Sequence, residues 1–284
     1  MTVSKEVKAL ISLLEDPDLE VYNSVKTKLI EYGCHIIPDL ENVWEMNFDS
    51  LIQSRAEEII HDIQFNSTKA QLEDWLASSK KDLLKAWLIL SKFHYPDLDE
   101  EWCNQFILDL QLKLKEELHN GSTEIENIMA INRILFNLNG FRGNIKNFHS
   151  HDNSLINTVL KSKKGNPLSL CMIYIILAQS INLPICGVNL PRHFVLGYEN
   201  ENALFGDPIK FYINPFSKGS IINRQDLEVF LKREKIKEDS SFFTACGNKA
   251  MIKRLINNLL HSYTYSGKQD YAHQMLLLLQ IFKK

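Results

Sequence analysis

The stretch Gly165-Asn-Pro-Leu-Ser-Leu-Cys-Met-Ile-Tyr-Ile-Ile-Leu-Ala178 leads through Asn182-Leu-Pro184 into Gly187-Val-Asn-Leu-Pro-Arg-His-Phe194 and later Tyr212-Ile-Asn-Pro-Phe216. Asn166 is placed to cap a helix. Pro167 falls at its first position, where a missing N–H costs nothing because first-turn donors have no intrahelical partner. The helix is expected to run to about Ile181 and to end at Asn182-Leu-Pro184. The apolar period then changes to two. Residues 185–190, 193–198, 203–205 and 211–213 read as short strands, with turns at Glu199-Asn-Glu-Asn202 and Gly206-Asp-Pro208. A helix from Arg224 to about Arg233 follows.

Upstream the chain reads as helical. Val7, Leu10, Ile11 and Leu14 recur at helical spacing, Asp16-Pro17-Asp18 interrupts them, and Val21, Val25, Leu29 and Ile30 resume the period. The run Leu13–Val21 and the turn Tyr32-Gly-Cys-His-Ile-Ile-Pro38 resemble one HEAT-type unit, although a plain helical hairpin is the preferred reading. Further helices are expected over 50–64, 72–78, 83–93 and 101–117, with Trp75, Trp87 and Trp102 as core anchors. Another is expected over 124–136, capped by Ser122. After the irregular Asn139-Gly-Phe-Arg-Gly-Asn144 comes a short helix, 154–161, and the basic turn Lys161-Ser-Lys-Lys-Gly165. Two amphipathic helices, 249–263 and 270–282, close the chain as one tetratricopeptide-like hairpin. The expected class is α+β, predominantly α. The expected division is a helical region (1–122), a small mixed core (123–240) and the C-terminal hairpin (241–284).

Composition narrows the function. With 284 residues, 45% hydrophobic and 24% charged, the chain is ordinary globular protein. A net charge of -3 gives no electrostatic case for nucleic acid or an anionic membrane. No apolar run is long enough to cross a bilayer and no signal-peptide core opens the chain, so a cytoplasmic location is expected. Cys34, Cys103, Cys171, Cys186 and Cys246 are odd in number and without CxxC spacing, which fits free thiols in a reducing compartment. No cofactor or metal is expected. His149 and His151 lack a third ligand at sensible spacing.

A helix followed by strands, with a histidine opening one strand and Asn or Asp closing a later one, is the arrangement of papain-like and transglutaminase-like cysteine enzymes. There the helix N-terminus stabilises a thiolate, the histidine shares its proton, and the amide or acid orients the imidazole. Residues 135–219 also resemble the SirB-type branch of the transglutaminase-like superfamily. The resemblance is carried by Asn139–Asn144, Asn153-Ser-Leu155, Val159-Leu160, Lys164-Gly-Asn-Pro-Leu-Ser-Leu170, Gly187–Phe194 and Tyr212–Phe216. It places His193 on the catalytic histidine and Asn214 where the family usually has aspartate. It places Pro167, which has no nucleophile, on the nucleophile position. Arg192 stands where the family usually has glycine, which implies a bulkier and more basic entrance beside His193. A retained groove would have Asn166, Pro167 and Arg192 at its binding surface.

Other residues are candidates for the missing roles. Cys171 lies one turn beyond Pro167, on nearly the same face and about 6 Å deeper; a buried core thiol is the plainer reading. Ser169 is about 200° round the helix from Pro167. Asp207 is the second candidate for the orienting acid, although Asp-Pro also makes it a turn residue. The run Lys161–Lys164 reads as a solvated loop, with anion binding as the lesser option. The leading expectation is a non-catalytic module that binds a protein or peptide partner. The alternative is a cysteine-type hydrolase or acyltransferase using Cys171, His193 and Asn214. A purely helical scaffold ranks third and nucleic-acid binding last.

Overall fold

The breaks read from the sequence become helix boundaries in the computed structural model, which describes residues 5–119, 121–200 and 207–283. The chain forms two compact units, Met1–Ala77 and Ser78–Lys284. In the first, α1 (Lys5–Ser12), α2 (Leu19–Tyr32), α3 (Ile37–Met46) and α4 (Ser50–Ala77) surround a core that includes Val7, Leu14, Val25, Leu29, Leu40 and Ile59. The Asp16-Pro17 break frees backbone carbonyls. Arg55 of α4, itself buried, donates to the carbonyl oxygens of Leu14 and Asp16. Helix α4 is continuous where two helices were expected. Residues 66–69 are polar but contain no Gly or Pro, and Thr68 turns its hydroxyl onto the Gln64 carbonyl oxygen at 2.9 Å.

The second unit carries α5 (Leu83–His94), α6 (Glu100–Glu117), α7 (Glu124–Asn132), α8 (Ile156–Ser162), α9 (Pro167–Gln179), α10 (Arg224–Arg233), α11 (Asn248–Tyr265) and α12 (Gln269–Ile281). Its main sheet has the order β6-β5-β4-β3-β7, from β3 (Ile185–Val188), β4 (Val195–Glu199), β5 (Ile209–Asn214), β6 (Ser220–Ile222) and β7 (Ala245–Cys246). All its neighbours are antiparallel. A second, parallel pair joins β1 (Arg142–Gly143) to β2 (Lys164–Gly165). The α+β, predominantly α class is therefore correct. The strand expected over 203–205 lies outside the described residues.

Helix α9 is the centre of this unit. Every residue from Pro167 to Ala178 is buried, as an all-round apolar helix requires. The helix lies between β3 and β4 on one side and α5, α6, α7 and α11 on the others. Helix α7 is capped not by Ser122 but by Thr123, whose hydroxyl accepts from the Glu126 N–H while the Glu126 carboxylate accepts from the Thr123 N–H. The helix passes into a π-type turn over Arg133–Leu138. Trp87 and Trp75 are buried as expected, whereas Trp102 is half-buried, with Lys161 Nζ 5.6 Å from its ring.

Gly219 holds the turn after β5 in place. Its φ is +73°, and an added Cβ would lie 1.8 Å from Asn132 Oδ1. The Asn132 amide donates to the Gly219 carbonyl oxygen at 3.0 Å. Gly219→Ala combines left-handed strain with loss of that bond, an expected cost of about 2–3 kcal/mol. Urea unfolding followed by circular dichroism measures it.

An aromatic cluster ties the C-terminal helices to α5. His94 Nδ1 lies 3.0 Å from the Tyr263 hydroxyl, and its ring is 4.6 Å from His151 and 5.2 Å from Tyr271. Burial, with His151 beside it, lowers the His94 pKa from 6.5 to about 4, and burial lowers His151 too. Between pH 6.5 and 4 the unfolded chain takes up a proton on His94 that the fold refuses. Stability therefore falls as pH falls through that window, by about 2 kcal/mol after allowance for partial exposure. Urea midpoints at pH 7.0 and 5.0 test this, and His94→Gln is expected to flatten the change.

Candidate active-site groove

The site is built outward from the first turn of α9. Asn166 Oδ1 accepts from the Ser169 N–H, the Asn166 N–H donates to Ser169 Oγ, and Asn166 Nδ2 donates to Ser154 Oγ, each at 2.9 Å. Both side chains are thus committed to the cap. Ser169 has no exposed surface and returns its proton to the Asn166 carbonyl oxygen at 3.1 Å. Pro167 and Leu168 form part of the lining of a pocket of about 590 Å³. The Leu168 N–H makes no hydrogen bond among the described residues.

Cys171 is not part of the lining of this pocket. It has 0% exposure, and its thiol points to the Phe194 carbonyl oxygen at 3.6 Å. Burial raises its pKa well above the ordinary thiol value, the reverse of what a nucleophilic cysteine needs.

His193 and Phe194 lead into β4 and do line the pocket. The His193 ring packs edge-on against Phe216, centroids 6.4 Å apart, and against Phe230 at 5.6 Å. Burial lowers the His193 pKa. Arg254 acts in the same direction, while Asn214 opposes both. Asn214 Nδ2 donates to Ser217 Oγ at 3.3 Å, whereas its buried Oδ1 completes no hydrogen bond among the described residues. Asn214 thus lies close enough to His193 to favour the imidazolium without a closed orienting bond. Beside it, Arg192 has φ +61°, the left-handed region in which glycine is unstrained. Its guanidinium turns to Glu234 at 3.2 Å.

The opposite wall comes from α11, which the sequence reading missed. Arg254, Asn257, Asn258 and His261 follow one another at helical spacing and line the pocket, while Leu255, Ile256 and Leu259 are buried. The i, i+3, i+4, i+7 polar stripe was the available signal. On an amphipathic helix it reads as a solvated face.

The remaining candidates separate. His149 lines the pocket and tilts against Tyr265 at 4.9 Å, whereas His151 belongs to the aromatic cluster. Among the described residues no three His, Cys, Asp or Glu side chains converge as metal ligands. The Asp207 carboxylate serves the Ile209 N–H at 3.1 Å and Arg224 at 3.3 Å. The basic turn is not a freely solvated loop: Lys163 Nζ sits 3.5 Å from the centre of the Phe106 ring, and burial lowers its pKa to about 8. Among the described residues no helix is long and apolar enough to cross a membrane.

Comparison with known proteins agrees with this frame. A family model described as the transglutaminase-like superfamily matches residues 101–257. A UPF0162 protein of Xylella fastidiosa (strain 9a5c) is 24% identical over 196 residues, 67% of this chain and 68% of its own length. A UPF0162 protein of Vibrio cholerae is 26% identical over 152 residues, 53% of each chain. F-box only protein 21 of Mus musculus is 27% identical over 151 residues, 52% of this chain and 23% of its own. No solved structure matches.

Proposed function

Because this chain belongs to the transglutaminase-like superfamily, we propose that it is a pseudoenzyme of that family that uses the old active-site groove to bind a protein or peptide. One observation carries the reading: a pocket of about 590 Å³ opens over Pro167, where the resemblance puts the nucleophile, while Cys171 has 0% exposure. A nucleophile must reach its substrate, and a thiol with no exposed surface that does not line the pocket gives it no access. His193 and Asn214 remain as parts of the groove. We place the chain in the SirB-type branch, with the helical residues 1–122 and a tetratricopeptide-like hairpin, 241–284, flanking the core at 123–240. In F-box only protein 21 the matching stretch is 23% of the chain, so such a core is also used as one part of a longer protein.

The test is turnover. The purified chain and His193→Ala are incubated with peptide anilide and thioester substrates. Neither is expected to exceed the uncatalysed rate. Hydrolysis by the parent chain that His193→Ala abolishes would overturn the reading in favour of a hydrolase or acyltransferase.

A further inference from the structure

We infer that the groove is an oxyanion site whose occupant is an acidic peptide, with a carboxylate seated on Arg254 beside His193. The inference rests on the binding reading above and gives it a ligand class.

Charge is the first observation. Arg192, Arg254, His149, His193 and His261 line the pocket, and no Asp or Glu does among the described residues. The chain as a whole has a net charge of -3 with histidines neutral, whereas the charged side chains lining the pocket are the two arginines, Arg192 and Arg254. Arg254 is the second. It is half-buried, and one guanidinium nitrogen, Nη1, donates to Asn189 Oδ1 at 3.2 Å and to the Leu190 carbonyl oxygen at 3.5 Å. Among the described residues it has no carboxylate within 4.0 Å, as is true of Arg55 and Arg142 outside the groove, whereas Arg133, Arg192, Arg224 and Arg233 each have one. A guanidinium carries five N–H donors in a planar fork that matches a carboxylate. A cation withdrawn from water without a counter-ion is costly, and an anion brought to it offsets that cost. Burial already lowers the Arg254 pKa, and the cation in turn depresses His193. The mouth residue Arg192 is satisfied by Glu234, which leaves Arg254 as the arginine of the groove without a carboxylate among the described residues.

Size and lining favour a peptide over a bare ion. A volume of about 590 Å³ is that of a site for an extended organic ligand. Phe148, 44% exposed, and Pro167 give apolar contact at one side. The Asn258 side-chain amide and the Leu168 N–H make no hydrogen bond among the described residues. Such amide groups pair with a peptide backbone.

Fluorescence anisotropy at fixed ionic strength tests this on the full chain. The probe is a labelled, N-acetylated, C-amidated peptide of repeating Glu-Ala-Phe, set against its Gln-Ala-Phe counterpart. The Glu peptide is expected to bind saturably and at least about tenfold tighter, a difference of the size that charge-assisted pairing gives. Arg254→Gln is expected to erase the preference and Arg254→Lys to keep part of it. Should Arg254→Gln fail to fold, the Arg254 Nε–H NMR resonance of the parent chain, shifting with the Glu peptide and not with the Gln peptide, gives the same answer. Three results overturn the inference: equal affinity for both peptides or no binding of either; a Glu preference that survives Arg254→Gln; or an Arg254 shift with inorganic phosphate but no peptide preference, which marks a bare-ion site. Failure of the binding reading itself appears as His193-dependent hydrolysis in a separate assay.

Discussion

Iodoacetamide is expected to alkylate Cys34 of the native chain rapidly and to leave Cys171 unmodified, with rates differing by at least about a thousandfold. Cys34 is exposed, whereas Cys171 is buried and its burial disfavours the thiolate. Reagent can reach Cys171 only when the fold opens. For a domain of ordinary stability, with an unfolding free energy of about 5–15 kcal/mol, that state is populated at less than one part in a thousand. Peptide mapping by mass spectrometry, in buffer and then in urea, reads both sites in one sample. In urea the two rates are expected to converge. Comparable labelling in buffer would mean that the α9 thiol is accessible, and the pseudoenzyme reading would lose its main support.

Trp87→Ala is expected to destabilise the second unit by about 3–5 kcal/mol, enough to unfold a marginal variant at 37 °C. The side chain has 0% exposure, and its indole Nε1 donates to the Ser154 carbonyl oxygen at 2.7 Å. One helical turn later, Ser91 Oγ accepts from the Ile156 N–H at 3.0 Å. Ser154 in turn receives the Asn166 amide that caps α9. Helix α5 therefore holds the segment on which the groove's first turn rests. Trp87→Phe separates the two contributions: it keeps most of the volume but leaves the Ser154 carbonyl without a donor, for about 1–3 kcal/mol. Chemical denaturation curves of the three proteins rank them. A Trp87→Phe variant as stable as the parent would show that the indole bond adds nothing.

What the sequence made legible was local. The Asn166-Pro167 start of α9, the strands at 185–188, 195–199 and 209–214 and the last two helices all follow from capping residues and period. Misreadings arose where side chains satisfy the backbone in ways that periodicity does not register. Thr123 with Glu126 takes the cap assigned to Ser122, and the polar run 66–69 continues α4 because it holds no Gly or Pro. The frame of the groove was readable because Pro167, His193 and Asn214 lie within one motif-rich segment. Its far wall was not, because Arg254 lies 40 positions beyond Asn214 and only the tertiary fold brings α11 against α9. Cys171 shows the limit of helical arithmetic. Spacing gives its face and depth relative to Pro167, but not that Phe194 closes over it.

The two-faced character of α11 has an evolutionary consequence. Leu255, Ile256 and Leu259 hold the helix in the core, while Arg254, Asn257, Asn258 and His261 face the groove. Core packing and groove lining are thus carried by interleaved but separate positions of one segment. Substitutions at Asn257, Asn258 and His261 can change the groove lining while leaving the buried positions unchanged, whereas Arg254 also holds Asn189 and the Leu190 carbonyl oxygen. A lineage that lost its nucleophile would retain an inexpensive route to new partners through a single helix.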